Sequence, residues 1–269
     1  MNQSLTDIAE LAEDIGASFL YDNRVDLIKI AESEGIKIIE GNYGNHFLGQ
    51  LVYFSAKFYI ILNKDLLSEC ESGRVRFTIA HELGHYFIDE HRNKLKNGIS
   101  LSFKEDLENS ERKKVETAAN HFAANLLMPQ SHFLEQITKL DSCLLGILIL
   151  KMKYDTSIES TINHFVNLDI SASLVIKWKS NYAYHYAWPS KKFTEITGIT
   201  KMNIPIRIDA NYVKNKVMSI DDLGLDYIES ATPISRWIST VMQHTKNDIV
   251  GLEQIIKLGD FGGIALLTF

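Results

Sequence analysis

Cysteine is nearly absent from this 269-residue chain: Cys70 and Cys143 are the whole complement, and they form no C-x-x-C pair. Two thiols cannot build a disulfide framework, and they read as reduced thiols of a cytosolic protein. Long apolar runs are missing as well. The strongest, Leu144 to Leu150, is far short of the roughly 20 residues that span a bilayer. The first residues, MNQSLTDIAELAEDIG, are acidic and lack the basic start and apolar stretch of a secretory signal, so a cytoplasmic location is expected. Positive charge is not in excess: 28 Lys and Arg face 34 Asp and Glu, a net charge of −6. That balance excludes a broad phosphate-binding or membrane-surface face, though not a local basic patch. There is no internal repeat and no low-complexity tract. What remains is 45% hydrophobic residues in a length that suits one large domain or two to three small ones.

Hydrophobic periodicity predicts amphipathic helices over 5–15 and 25–34, then a strand at Ile36 to Ile39. A loop follows at Gly41 to Asn45, and a hairpin from Leu48 to Leu62 breaks near Ser55-Ala56-Lys57. A helix over 74–90, with Ser72 as its N-cap, is apolar on almost every face and should be buried. Residues 92–109 are polar and read as a loop. Residues 111–127 form a second helix, which stops before Pro129. Residues 131–168 read as helical, with Thr156 and Glu159 as a capping box. Leu144 to Met152 followed by SIESTINHFVNL resembles a helix-turn-helix, but the second segment has no Lys or Arg with which to read DNA. From Leu174 the texture turns to short strands at Leu174 to Trp178, Tyr182 to Trp188 and Ile204 to Ile208, with a helix near Ile234 to His244 and a closing hairpin turn around Gly259 to Gly263. Asp260-Phe261-Gly262 in that turn lacks the companion motifs of a kinase. The expected architecture is α+β in three parts: 1–130 with the chemistry, 131–170 helical and helix-turn-helix-like, and 171–269 a small α/β domain.

The chemistry centres on His81-Glu82-Leu83-Gly84-His85. Histidines four apart on a helix share one face and can grip one divalent metal; the glutamate between them can reach a water on that metal. The five-residue pattern alone arises by chance on the order of once in a hundred such chains, so a third ligand is needed. His91 would complete a metzincin-like spacing. That pattern requires a glycine where this chain has Ile88, a β-branched residue for which positive φ is costly. Glu116 is the better candidate, thirty-one residues after His85 on the next helix. Asn120, one turn further, can hold a ligand histidine from behind. Among later residues, Tyr86 and the cluster Tyr182, Tyr184, His185 and Tyr186 are candidate oxyanion donors, and none is assigned.

RFTIAHELGHYF at 76–87 together with ETAANHFAANLLMP at 116–129 resembles the ImmA/IrrE family of metallopeptidases. The likeness is strong over about 72–130 and weak after 170. It implies a zincin-like domain in which His81, His85 and Glu116 hold the metal and Glu82 is the catalytic base. Many members carry a second glutamate where this chain has Ala119. The resemblance also implies the layout of some relatives, a helical middle segment and a GAF-like terminal domain. It implies a function too: cleavage of a helix-turn-helix repressor, which switches on phage, mobile-element or stress genes. Two imidazoles and a carboxylate suit Zn2+, with Mn2+ as the alternative. The expectations are therefore a cytoplasmic zinc endopeptidase with a protein partner, no direct nucleic-acid binding and no membrane partner. The alternatives are a module that sequesters a repressor without cutting it, and a ligand-gated regulator sensing a small molecule through 171–269.

Overall fold

The computed structural model of the protein describes residues 3–68, 72–101, 109–140, 143–200, 210–223, 227–237, 249–259 and 262–269. They divide into two compact units, Met1–Thr161 and Ile162–Phe269.

The first unit opens with α1 (Leu5–Ser18), whose start is closed by a reciprocal capping box between Ser4 and Asp7. A small ribbon of β1 (Leu20–Tyr21) and β2 (Arg24–Val25) leads to α2 (Leu27–Ser33). Then come β3 (Lys37–Gly41), β4 (Gly49–Phe54) and β5 (Lys57–Asn63). Ser55 and Ala56 make the β4–β5 turn with φ of 48° and 61°. This primed geometry matches the twist of a two-residue hairpin. The sheet order is β3-β5-β4, with β3 parallel and β4 antiparallel to β5, so β4 forms an outer edge. After the one-turn α3 (Lys64–Leu67) comes α4 (Ser72–Phe87), then α5 (Asp89–Lys96), α6 (Asn109–Leu127), α7 (Gln130–Thr138) and α8 (Leu144–Tyr154).

The core forms where α1, α4 and α6 pack together. Ile8 and Ala12 from α1, Ile79, Ala80 and Leu83 from α4, and Ala119, Phe122, Ala123 and Leu126 from α6 are all buried. The expected buried character of the first histidine helix is present from Thr78 to His85, except at half-buried His81. Two local expectations fail. The stretch after that helix is not all loop: the chain breaks at buried Ile88 and at once restarts as α5. The next helix, α9 (Ile158–Asn167), is capped by Ser157, whose Oγ accepts from the Ser160 amide at 3.1 Å. Thr156, the predicted cap, is buried and bonds Thr161 Oγ1 at 2.8 Å instead.

The second unit holds β6 (Ser173–Trp178), β7 (Tyr184–Pro189), α10 (Lys191–Thr197), α11 (Ala210–Leu223), β8 (Tyr227–Pro233), β9 (Val250–Lys257) and β10 (Gly263–Thr268). The strands form one sheet in the order β7-β6-β10-β9-β8, antiparallel at every pairing. Period-2 alternation puts Leu174, Ile176, Trp178, Ile255, Ala265 and Leu267 on one face, packed with Phe193, Val213, Val217 and Trp237. The strand-rich texture gives no sign of α10, which Ser190 caps at Phe193 and Gly198 (φ 70°) closes. The predicted strand at Ile204 to Ile208, the Asp260-Phe261 pair and most of the predicted helix at Ile234 to His244 lie outside the described residues; Ile234–Arg236 is a single 3-10 turn. The chain is thus a mixed helix and sheet, α+β protein. Among the described residues, no helix is long and apolar enough to cross a membrane.

Candidate metal centre

α4 and α6 bring three donors together. His81 and His85 lie four apart on α4, and Glu116 faces them from α6. One ligand atom from each lies within 4.8 Å of the others. His81 Nε2 is 3.2 Å from Glu116 Oε2 and 3.1 Å from His85 Nε2, and His85 Nε2 is 3.9 Å from Glu116 Oε1. Both histidines therefore turn Nε2 toward one point and Nδ1 away from it. Glu116 is the open side of the site, with 39% of its side chain exposed against 5% for His85. The first half of α6 is partly solvated apart from buried Val115, and burial becomes nearly continuous from Phe122 onward.

The rear nitrogens are engaged. His81 Nδ1 lies 2.9 Å from Asn120 Oδ1. An amide oxygen can only accept, so Nδ1 carries the proton and Nε2 is left as a lone-pair donor. His85 Nδ1 lies 3.1 Å from Nδ1 of His91, which is 3% exposed. His91 is therefore no exposed polar residue closing α4. It sits on α5, buried behind a candidate ligand.

Glu82 is 5% exposed and turns toward the sheet, where its Oε2 accepts from the Leu51 amide of β4 at 2.7 Å. The close approach of β4 depends on Gly49, since a Cβ there would come within 2.4 Å of Thr78 Cγ2 and 3.4 Å of Glu82. Burial pushes the Glu82 carboxyl up to about 7, against the opposing pull of His81 and the Leu51 amide. Burial also drives the His85 imidazolium well below its ordinary range, and lowers His91 to about 4. At His81 burial works in the same direction, but the hydrogen bond to Glu116 and the charges of Glu82 and Glu116 outweigh it and raise the pKa.

The donor set fits a divalent metal: two imidazoles with lone pairs convergent, one carboxylate, and a face open to solvent on the Glu116 side. Tyr86 points elsewhere, its hydroxyl donating to Glu34 at 2.9 Å with Arg92 stacked over its ring. Tyr182, Tyr184, His185 and Tyr186 belong to the second unit, on β7 and the turn before it. Two participants escape a reading of the motifs. The Leu51 amide is backbone and leaves no side-chain signal. His91 is visible only as a third histidine in HELGHYFIDEH.

Comparison with known proteins bears on this geometry. No curated protein matches the chain. Among solved structures, one described as a "Mycobacterium tuberculosis transcriptional regulator" matches with a TM-score of 0.60 at 13% identity, over 97% of this chain and 76% of that one. At that identity the likeness is one of fold alone. Residues 31–148 match the model of a peptidase family, described as the IrrE N-terminal-like domain. That segment contains the three-stranded sheet, the HELGH helix and Glu116, and over it the chain is similar to the ImmA/IrrE family of metallopeptidases.

Proposed function

We propose that the protein is a zinc-dependent endopeptidase with a narrow protein substrate, built on a zincin-like domain. The observation that supports this reading best is the convergence of His81, His85 and Glu116 within 4.8 Å, with a buried glutamate held beside them. Those three side chains are the proposed ligands, and Asn120 fixes the tautomer of His81. Zinc bound there would supply Lewis acidity, polarising the scissile carbonyl and lowering the pKa of water in its open position to about 7. Glu82 is the general base: the Leu51 amide pins one carboxylate oxygen, and the carboxylate takes a proton from water and returns it to the leaving amine. The outer edge of β4, beside α4, receives the substrate as an extended strand.

By the habit of the family, the substrate is a helix-turn-helix repressor in the cytoplasm. Cutting it releases phage, mobile-element or stress genes. Residues 131–170 form a helical middle segment in this reading, and 171–269 a GAF-like regulatory domain open to a small-molecule signal. The test is Glu82→Gln, assayed on a proteome-derived peptide library by mass spectrometry. The variant should keep stoichiometric zinc while cleavage falls by about 10²–10⁴-fold. Cleavage at the wild-type rate, or loss of the metal with the base, would refute the assignment.

A further inference from the structure

We infer that His91 is a positioning residue of the metal centre: its Nδ1 accepts a hydrogen bond from the Nδ1–H of His85 and so fixes the tautomer that offers Nε2 to the metal. The inference rests on the metal-centre reading above and adds a component that the motif does not contain.

The two histidine ligands face the same problem. Each must present an unprotonated Nε2, and a neutral imidazole does so only when its proton sits on Nδ1. For His81 the acceptor is the Asn120 amide oxygen at 2.9 Å. Behind His85 the group within hydrogen-bond reach is His91 Nδ1 at 3.1 Å, in a setting where both rings are buried. His91 does not serve as a ligand itself. Its Nδ1 faces the rear nitrogen of His85, and the two nitrogens of an imidazole point in divergent directions. A metal on Nε2 therefore lies on the far side of the ring.

The fold holds His91 in that place. α4 stops at Phe87, buried Ile88 breaks the helix, and α5 begins at Asp89. His91 thereby leaves the helical register of the ligands and comes round behind His85. α5 is braced against the helix that carries Glu116. Lys94 bridges Glu90 and Glu111, at 2.9 Å and 2.5 Å, and Leu95 packs with Val115, the neighbour of Glu116. One short helix therefore supports a ligand on α4 and the approach of α6. The chain break at Ile88 is what carries His91 Nδ1 to the rear nitrogen of His85.

The experiment compares full-length wild type, His91→Phe and His91→Asn. Phe keeps a ring without an acceptor. Asn places Oδ1 where His has Nδ1. Zinc affinity is measured by chelator competition, and the His85 tautomer by ¹⁵N NMR of the zinc-loaded protein. His91→Phe should bind zinc about 10–100-fold more weakly, with an unchanged circular dichroism spectrum, and His91→Asn should recover most of the loss. In wild type, the His85 Nδ1 proton should be present and slow to exchange. Affinity of His91→Phe within about twofold of wild type, Asn no better than Phe, or a zinc-loaded wild type with Nδ1 of His85 unprotonated would each overturn the inference while leaving the metal centre standing. If His91→Phe does not fold, the Asn variant and the wild-type tautomer decide. A wild type that binds no zinc overturns both the centre and the inference.

Discussion

Replacing Gly84 with alanine tests the helix contact on which the site depends. Gly84 sits inside α4 between the two histidines, where glycine costs about 1 kcal/mol relative to alanine. On helix propensity alone, Gly84→Ala should stabilise the protein by that amount. The packing argues otherwise. A Cβ at position 84 would lie 3.1 Å from Phe122 Cδ1, 3.2 Å from Phe122 Cβ and 3.2 Å from the Ala119 carbonyl oxygen. Neither neighbour can yield freely. Phe122 is fully buried and stacked on Phe87 at 5.7 Å, and the Ala119 carbonyl is part of the α6 backbone. α6 must therefore retreat by a few tenths of an ångström, and overpacking of this kind costs about 1–3 kcal/mol. The net effect is a destabilisation of up to about 2 kcal/mol in the metal-free protein. α6 also carries Glu116, so zinc affinity should fall with stability. Urea unfolding followed by circular dichroism gives the first quantity, and chelator competition gives the second. A Gly84→Ala protein more stable by about 1 kcal/mol, with unchanged zinc affinity, would refute the argument that close approach of α4 and α6 builds the centre.

Zinc affinity should weaken as pH falls. His81 has a pKa raised above 6.5 and must lose its proton to bind, which costs about tenfold per pH unit below that pKa. His85, held neutral by burial, adds no slope near neutrality. Glu82, raised to about 7, should release a second proton as the cation arrives, so Glu82→Gln should flatten the dependence; affinities equal at pH 5.5 and 7.5 would count against the ligand set. In the second unit, Glu253 is 1% exposed and accepts from Trp237 Nε1 at 2.6 Å and Tyr212 Oη at 2.7 Å, with Lys216 at 3.5 Å. Glu253→Ala strands these donors and should cost about 3–5 kcal/mol, read from tryptophan fluorescence during denaturation; a loss under about 1 kcal/mol would show that the network is not stabilising.

Where a signal is local and periodic, the residues announce the structure. The Ser55-Ala56 hairpin, α1 with its capping box and the buried middle of α4 all follow from patterns within a dozen residues. Thr156 misleads because two candidate caps stand side by side, and packing buries one of them. α5 is hidden because a helix of eight mostly polar residues has no apolar stripe of its own to read; it exists through Leu95, Lys94 and His91, each of which has a partner on another element. Glu116 is legible as a candidate from its place on the next helix, while its 39% side-chain exposure, set by how α6 meets α4, is not.

The sequence by itself determined which side chains could do metal chemistry, because His81 and His85 share a helix face whatever surrounds them, and because Glu116 and Asn120 share another. Only the tertiary structure decided how those faces meet. The absence of a side chain at Gly84 lets α6 approach until Glu116 reaches the histidines, and its absence at Gly49 lets an edge amide grip Glu82. The break at Ile88 carries His91 to the rear of His85. Each depends on how separate elements pack together, which no local pattern encodes.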